Sequence, residues 1–551
     1  MSGSPPLQPP AVDPDVHVNG RIEEPAWFRH PAVRFAAILA ALLAAYSPAV
    51  HGYYLHTDDY FWSSFGGFPR TAILTFMSVV GRPLTGAIYC AFGAVKTMNG
   101  MNLLRALSIV NLAALGLATY RYLRKELPSA PVALAAAVAM LTTPPFATAV
   151  GFLSTAPYAL AATVAALAFI LVSEKVIGNR APSRWGFVAL AWFLLIVSLA
   201  IYQPGALYYV SLAAVSTFLA DPQRFYRDHL RKLALHGAIL AAACGVYYWV
   251  WRAWLQHARV PSLGKYDARQ FSGDIHAGAV WFVRTPLVEA SNLWFVRPMV
   301  GFSIVIAGVI LVALCLEYSP APGVRGIARV LGKAAVLMAM VPMTYGISLA
   351  SYMPSAEYRT YTAMEGAIVL IFVISLGRIL AAVSRWIGNP QAGLGVPRRL
   401  RACPTAITMA MVAVCGICAA HVTIRRYFTA PDSTEFRFVK DQIDRYRRTA
   451  GADFTMIDVV IVRRPVAAVQ RNEMGEPTLR HGPNLRPIVT AALRELGIAR
   501  DVRVFQSLPD DPSQWTEFGT QLHWMSLDYF AMKPLPGKTI TIDASRLGSL
   551  P

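Results

Sequence analysis

Eleven long apolar runs constrain this chain more than any other feature of it. They lie at roughly 33–52, 103–120, 131–148, 156–173, 185–202, 205–220, 233–254, 299–317, 331–350, 362–380 and 404–422. A helix needs ~20 mostly apolar residues to cross the hydrocarbon core of a bilayer. Each run is close to that length, so the expected fold is an α-helical polytopic membrane protein of about 11 transmembrane helices. Only 15% of the residues are charged, against about 25% in soluble proteins.

The formal net charge is +19. In a soluble chain that balance would suggest nucleic acid, but no nucleic-acid motif is present. The basic residues sit in short loops between apolar runs, where the positive-inside rule and anionic lipid headgroups account for them. The six cysteines lie in or beside apolar segments and read as packing residues. Cys415 and Cys418 form a CxxC within an apolar run, without His or acidic neighbours.

Loop charge also settles how to read 71–97, an apolar stretch interrupted by Gly81-Arg82-Pro83. As a full crossing it would send the loops of Arg121/Arg124/Lys125, Lys175/Arg180/Arg184 and Arg224/Arg227/Arg231/Lys232 outward. As a pair of short helices at the outer surface, it leaves all of them cytoplasmic, with Arg325/Arg329/Lys333 and Arg385/Arg398/Arg399/Arg401. The second arrangement predicts a cytoplasmic N-terminus and an outer C-terminus. Polar and Pro-rich segments then collect on the outer face, where irregular backbone at membrane depth implies a cavity.

The domains follow. Residues 1–30 read as a disordered cytoplasmic tail. Residues 31–423 form the membrane domain, with 53–102 as an outer loop carrying surface helices. Residues 424–551 have ordinary charge and no long apolar run. There 454–462 and 501–505 read as strands and 486–497 as a helix stopped by Gly497, giving a small extracytoplasmic α/β domain.

The strongest chemical signal is His56-Thr57-Asp58-Asp59-Tyr60-Phe61-Trp62, directly after the first span. Adjacent carboxylates repel, and repulsion with partial burial raises the pKa of at least one. That suits a general base. Binding a divalent cation such as Mg or Mn through Asp58 and Asp59 is a second use, and a solvated acidic turn is the plain alternative. Tyr60 and Trp62 read first as interfacial anchors, though an aromatic ring beside a carboxylate also stacks on a sugar. Arg82 and Arg359 stand beside apolar segments, where the guanidinium fork matches a lipid phosphate. Pairing with Asp58 or Asp59, or with Glu357, would also account for them. Gln203 in Tyr202-Gln203-Pro204-Gly205, His56 and Glu357 complete the expected substrate cavity. Glu365 is an acidic residue inside a span and needs a partner.

This arrangement resembles the GT-C superfamily of membrane glycosyltransferases. The combination of DDYFW at 58–62 and GRPL at 81–84 looks most like the O-antigen glucosyltransferase (type II) branch. The resemblance implies an inverting enzyme of the bacterial inner membrane. It would move a sugar from a polyprenyl-phosphate-linked donor to a cell-envelope glycan or lipid acceptor on the outer, periplasmic face. One of Asp58 and Asp59 would be the base, and Arg82 and Arg359 would hold the lipid phosphate. A transporter or lipid flippase competes with this reading, but no inverted repeat is visible and the notable charges lie near the outer boundary. A non-catalytic membrane scaffold with an outer partner-binding domain is the other competitor.

Overall fold

In the computed structural model, residues 26–56, 59, 69–177, 183–221, 225–258, 275–296, 299–318, 324–349, 358–387, 398–450, 456–460, 485–498, 503–507 and 539–543 are described. The expected tail falls outside them up to residue 25, and its end is a 3-10 turn, Ala26–Arg29. Seven described helices are long and apolar enough to cross a membrane. An eighth is obtained when the bent pair Ala130–Leu141 and Pro144–Gly151 is taken as one span. The expected spans at 205–220, 299–317 and 331–350 fall on Tyr208–Leu219, Val300–Tyr318 and Val324–Met343, outside those seven.

The helices that position the site are α1 (Pro31–His51), α2 (Arg70–Val79), α3 (Pro83–Phe92), α4 (Met98–Glu126), α5 (Ala130–Leu141), α6 (Pro144–Gly151) and α7 (Ala156–Leu171). They are followed by α8 (Arg184–Ile201), α9 (Tyr208–Leu219), α10 (Leu230–His257), α11 (Val300–Tyr318), α12 (Val324–Met343), α13 (Tyr358–Ile387), α14 (Arg398–Ile424) and α15 (Ala430–Ala450). Helices α2 and α3 have 10 residues each and rise only ~15 Å, half a hydrocarbon core. They fold back on each other so closely that a Cβ on Gly86 would come within 2.9 Å of Met77. Gly81 makes the turn with φ +72°, and the Arg82 N–H donates to Met77 O at 2.7 Å, closing α2 as a Schellman turn.

Two breaks shape the bundle. The α5–α6 bend of 55° lies at Thr142-Thr143-Pro144-Pro145, where the prolines cannot continue the hydrogen-bond ladder. Trp294 covers it, donating from Nε1 to Ala139 O at 3.1 Å and Thr142 Oγ1 at 3.2 Å. The second break, a 3-10 turn at Leu153–Thr155, separates α6 from α7.

Basic residues gather at one end of the bundle. Arg124 and Lys125 close α4, Arg184 opens α8 and Arg231 and Lys232 open α10. At the same end the Lys333 ammonium donates to Ala220 O at 2.9 Å. The expected boundary at 423 is crossed by helix. A π turn, Arg425–Thr429, carries α14 directly into α15. Beyond it, β1 (Met456–Val460) is the middle strand of a three-stranded parallel sheet with β2 (Arg503–Ser507) and β3 (Thr539–Asp543). Helix α16 (Leu485–Glu495) shares a core with α15 and β1, through Phe436, Val439, Ile443, Ile457 and Val489. Leu55, Met98, Met101 and Leu153 belong to that core too. The C-terminal part thus rests on the end of the bundle opposite the basic loops.

Candidate functional site

The break between α6 and α7 leaves backbone N–H groups without helical partners, and Asp59 takes one of them. Its Oδ1 accepts from the Ser154 N–H at 2.7 Å, and its Oδ2 from the His56 N–H at 3.2 Å. Position just before the start of α7 also favours negative charge. The buried Arg105 guanidinium lies 4.0 Å from Oδ2. Burial pushes the Asp59 pKa up to about 6, against the opposing pull of Arg105, the Ser154 N–H and His56.

His56 is buried and its Nδ1 lies 2.8 Å from Asp432 Oδ2, in the first turn of α15. The rings of Phe152 and Phe428 meet it edge-on at 4.9 and 5.0 Å. Arg105 donates to Tyr54 O at 2.7 Å and to Asn102 Oδ1 at 2.8 Å, and lies 3.9 Å from the centre of the Tyr54 ring. The segment from Tyr54 to Asp59 is therefore anchored from α4, the turn before α7 and α15 together. Asp58, Tyr60, Trp62 and Glu357 lie outside the described residues.

Arg82 and Gln203 lie in contact. Arg82 Nε reaches Gln203 Oε1 at 3.4 Å and its Nη1 the Tyr158 hydroxyl at 3.4 Å. Its guanidinium lies 4.7 Å from the centre of the Tyr202 ring, which stacks on Tyr158 at 3.5 Å. Gln203 and Tyr247 both donate to Gly81 O. Arg359 lines a narrow crevice with Thr155, Tyr158 and Phe146. Tyr158 thus contacts Arg82 and shares a crevice with Arg359, while Ser154 and Thr155 join that crevice to Asp59. Glu365 is buried inside the bundle, with the Thr143 hydroxyl and Glu289 as its polar neighbours.

Sequence reasoning missed Arg105, Ser154, Tyr158 and Asp432. Arg105 had a usable signal, as an arginine inside the apolar run 103–120. Asp432 follows no periodicity that ties it to a histidine far earlier in the chain. Among the described residues, no group of three or more His, Cys, Asp or Glu side chains is placed so that it could hold a metal ion; Asp58 lies outside them. Both Asp59 oxygens accept N–H groups, and Arg105 already supplies positive charge there.

The family model described as Glucosyl transferase GtrII covers residues 71–374, more than half of the chain. No curated protein matches the sequence. The matched region includes Arg82, Arg105, Gln203 and Arg359, and leaves His56, Asp59 and Asp432 on either side of it.

Proposed function

The chain belongs to the GtrII glucosyl transferase family and is a membrane glycosyltransferase; from that premise we propose that it transfers a sugar from a polyprenyl-phosphate-linked donor to a cell-envelope glycan or lipid acceptor on the outer face of the bacterial inner membrane. The observation that carries this reading is the convergence of Arg82, Arg359 and the Asp59 segment on the break between α6 and α7.

Each component has a chemical task. The donor's phosphate bears negative charge that grows as the bond from sugar C1 to phosphate oxygen breaks. Arg82 and Arg359 stabilise it as a leaving group. The acceptor hydroxyl attacks C1 from the opposite face, forming the new C1–oxygen bond and inverting the anomeric centre. Its proton passes to a carboxylate. Asp58 is the base in this proposal. Asp59 holds its own segment through the Ser154 and His56 N–H groups. Lipid-linked phosphate as leaving group removes any need for a nucleotide-binding glycine loop.

The orientation proposed with it puts the basic loops in the cytoplasm and the Asp59 end, with α15 and the residues beyond, in the periplasm. The basic end and the Asp59 end lie at opposite ends of α4, in keeping with the positive-inside rule. Purified protein, incubated with a synthetic polyprenyl-phosphate sugar and an acceptor glycan, should release polyprenyl phosphate and lengthen the acceptor by one sugar. No turnover of such a donor by active-folded protein would overturn the reading.

A further inference from the structure

A second cavity lies at the basic end of the bundle, away from the Asp59 site. Its volume is about 390 Å³. Along α4 it begins at Tyr122, 17 residues beyond Arg105, which is ~25 Å of helix. It is therefore a separate place in the molecule, close to the opposite membrane boundary.

The floor is aromatic and uncharged. His236 stacks on Phe169 with 4.5 Å between ring centres, and its Nδ1 lies 2.7 Å from the Tyr209 hydroxyl. Tyr122 meets Phe169 edge-on at 5.3 Å. Burial, with Lys232 and Lys333 nearby, lowers the His229 pKa to about 4, so this ring is neutral as well. The rim carries the charge: Glu126, Asp221 and Asp228 against Lys232. Of the basic residues at the same end, Arg121 and Lys125 pair with Glu174, which is not part of this rim.

Two of the four π turns among the described residues border the same place. These two, Val172–Val176 and Phe225–His229, form its walls and contribute Ser173, Asp228 and His229. Such turns are rare and concentrate at functional positions. The exposed Glu126 and Asp228 carboxylates and an aromatic floor attract an ammonium group, and one lysine beside them offers a partner for a phosphate. Among membrane-boundary ligands, a group carrying both charges a few bonds apart fits this rim.

We propose that this cavity binds the phosphoethanolamine group of a membrane lipid, its ammonium against Glu126 and Asp228 and its phosphate on Lys232. Delipidated full-length protein would be titrated with dihexanoyl phosphatidylethanolamine, dihexanoyl phosphatidylglycerol and soluble glycerophosphoethanolamine, with binding read by native mass spectrometry. Phosphatidylethanolamine should saturate one site about tenfold more tightly than phosphatidylglycerol. Because Glu126, Asp228 and Lys232 are exposed, their substitution leaves the packing intact. The double variant Glu126→Gln/Asp228→Asn should lose about fivefold in phosphatidylethanolamine affinity and leave phosphatidylglycerol unaffected. Lys232→Ala should weaken both lipids. Equal binding of the two lipids, or unchanged affinity in both variants, would overturn the site. Glycerophosphoethanolamine binding as tightly as the lipid would overturn the lipid as its source.

Discussion

The Arg105 guanidinium lies 4.0 Å from the Asp59 carboxylate, and both side chains are buried. Taking two charges out of water costs several kcal/mol per ion, and attraction repays that only when further hydrogen bonds complete the set. Here they do for the carboxylate and for the two terminal guanidinium nitrogens, while Arg105 Nε is buried without a hydrogen bond. Tyr54 O and Asn102 take the guanidinium, and the Ser154 and His56 N–H groups take the carboxylate. The pair joins α4 to the segment between α1 and α2 and to the turn before α7.

Arg105→Met should therefore destabilise the protein strongly. It leaves a buried carboxylate facing no counter-charge, a loss of about 3–5 kcal/mol for broken buried pairs. The double variant Arg105→Met/Asp59→Asn should recover part of that loss. Unfolding midpoints of the purified proteins in one detergent check this, and a single Arg105→Met variant as stable as wild type would remove the coupling.

The raised pKa of Asp59 sets a pH dependence whose sign is fixed. The ordinary value is 3.8 and the folded value about 6, so the folded state binds the proton more tightly than the unfolded state. This contribution is fully present below about pH 3.8 and is lost as pH rises through about 6. Its size is roughly 3 kcal/mol, at about 1.4 kcal/mol per pH unit. Midpoint against pH should fall across that window in wild type and be flatter in Asp59→Asn. Parallel curves would contradict the assignment.

The donor arginines make separable predictions. Arg82→Ala and Arg359→Ala should each weaken binding of a polyprenyl-phosphate sugar by about tenfold, as loss of a charged hydrogen-bond donor does. Arg82→Lys keeps the charge but loses the fork between Gln203 and Tyr158 and the face of Tyr202, so it should restore little. Donor titration by tryptophan fluorescence reads all three. Wild-type affinity in both alanine variants would leave the phosphate without its proposed partners.

Much of the architecture was legible because long apolar runs have few alternatives in water or lipid. The helical membrane fold followed from them, and the DDYFW and GRPL segments pointed to the family that the chain belongs to. The count of spans was harder to read. Thr142-Thr143-Pro144-Pro145 announces a break, but not that α5 and α6 bend by 55° as a pair. Likewise no local signal shows that a π turn at Arg425–Thr429 carries the helix past 423. Within the site, Arg82 and Gln203 were each visible as local oddities. The contact between His56 and Asp432 was not, since it depends on how α14 delivers α15 to the loop.

Orientation can be tested on a cysteine-free background. Single cysteines at Lys125 and Asp441 should label from opposite sides of intact inner membrane, position 125 only after the cytoplasm is opened. Both residues are exposed. Labelling of both from the same side would reject the proposed topology, including the short α2–α3 hairpin as a non-crossing element.

The acidic pair itself gives the sharpest test of the proposed chemistry. A sugar hydroxyl is a weak nucleophile near neutral pH, and a positioned base contributes typically about 10²–10⁴-fold to its transfer. Asp59 is poorly placed for that task, because both of its oxygens are held by backbone N–H groups with Arg105 beside them. Its neighbour in sequence, Asp58, is the proposed base. Asp58→Asn keeps shape and removes the basic lone pair's charge, so it should insert and fold normally while transfer falls by about 10²-fold or more. Asp59→Asn should act differently, shifting the unfolding midpoint and its pH dependence and lowering transfer through a misplaced loop. Turnover of a purified lipid-linked donor, measured beside the unfolding midpoint of each variant, separates the two roles. Wild-type transfer in both Asp58→Asn and Asp59→Asn would show that the base lies elsewhere.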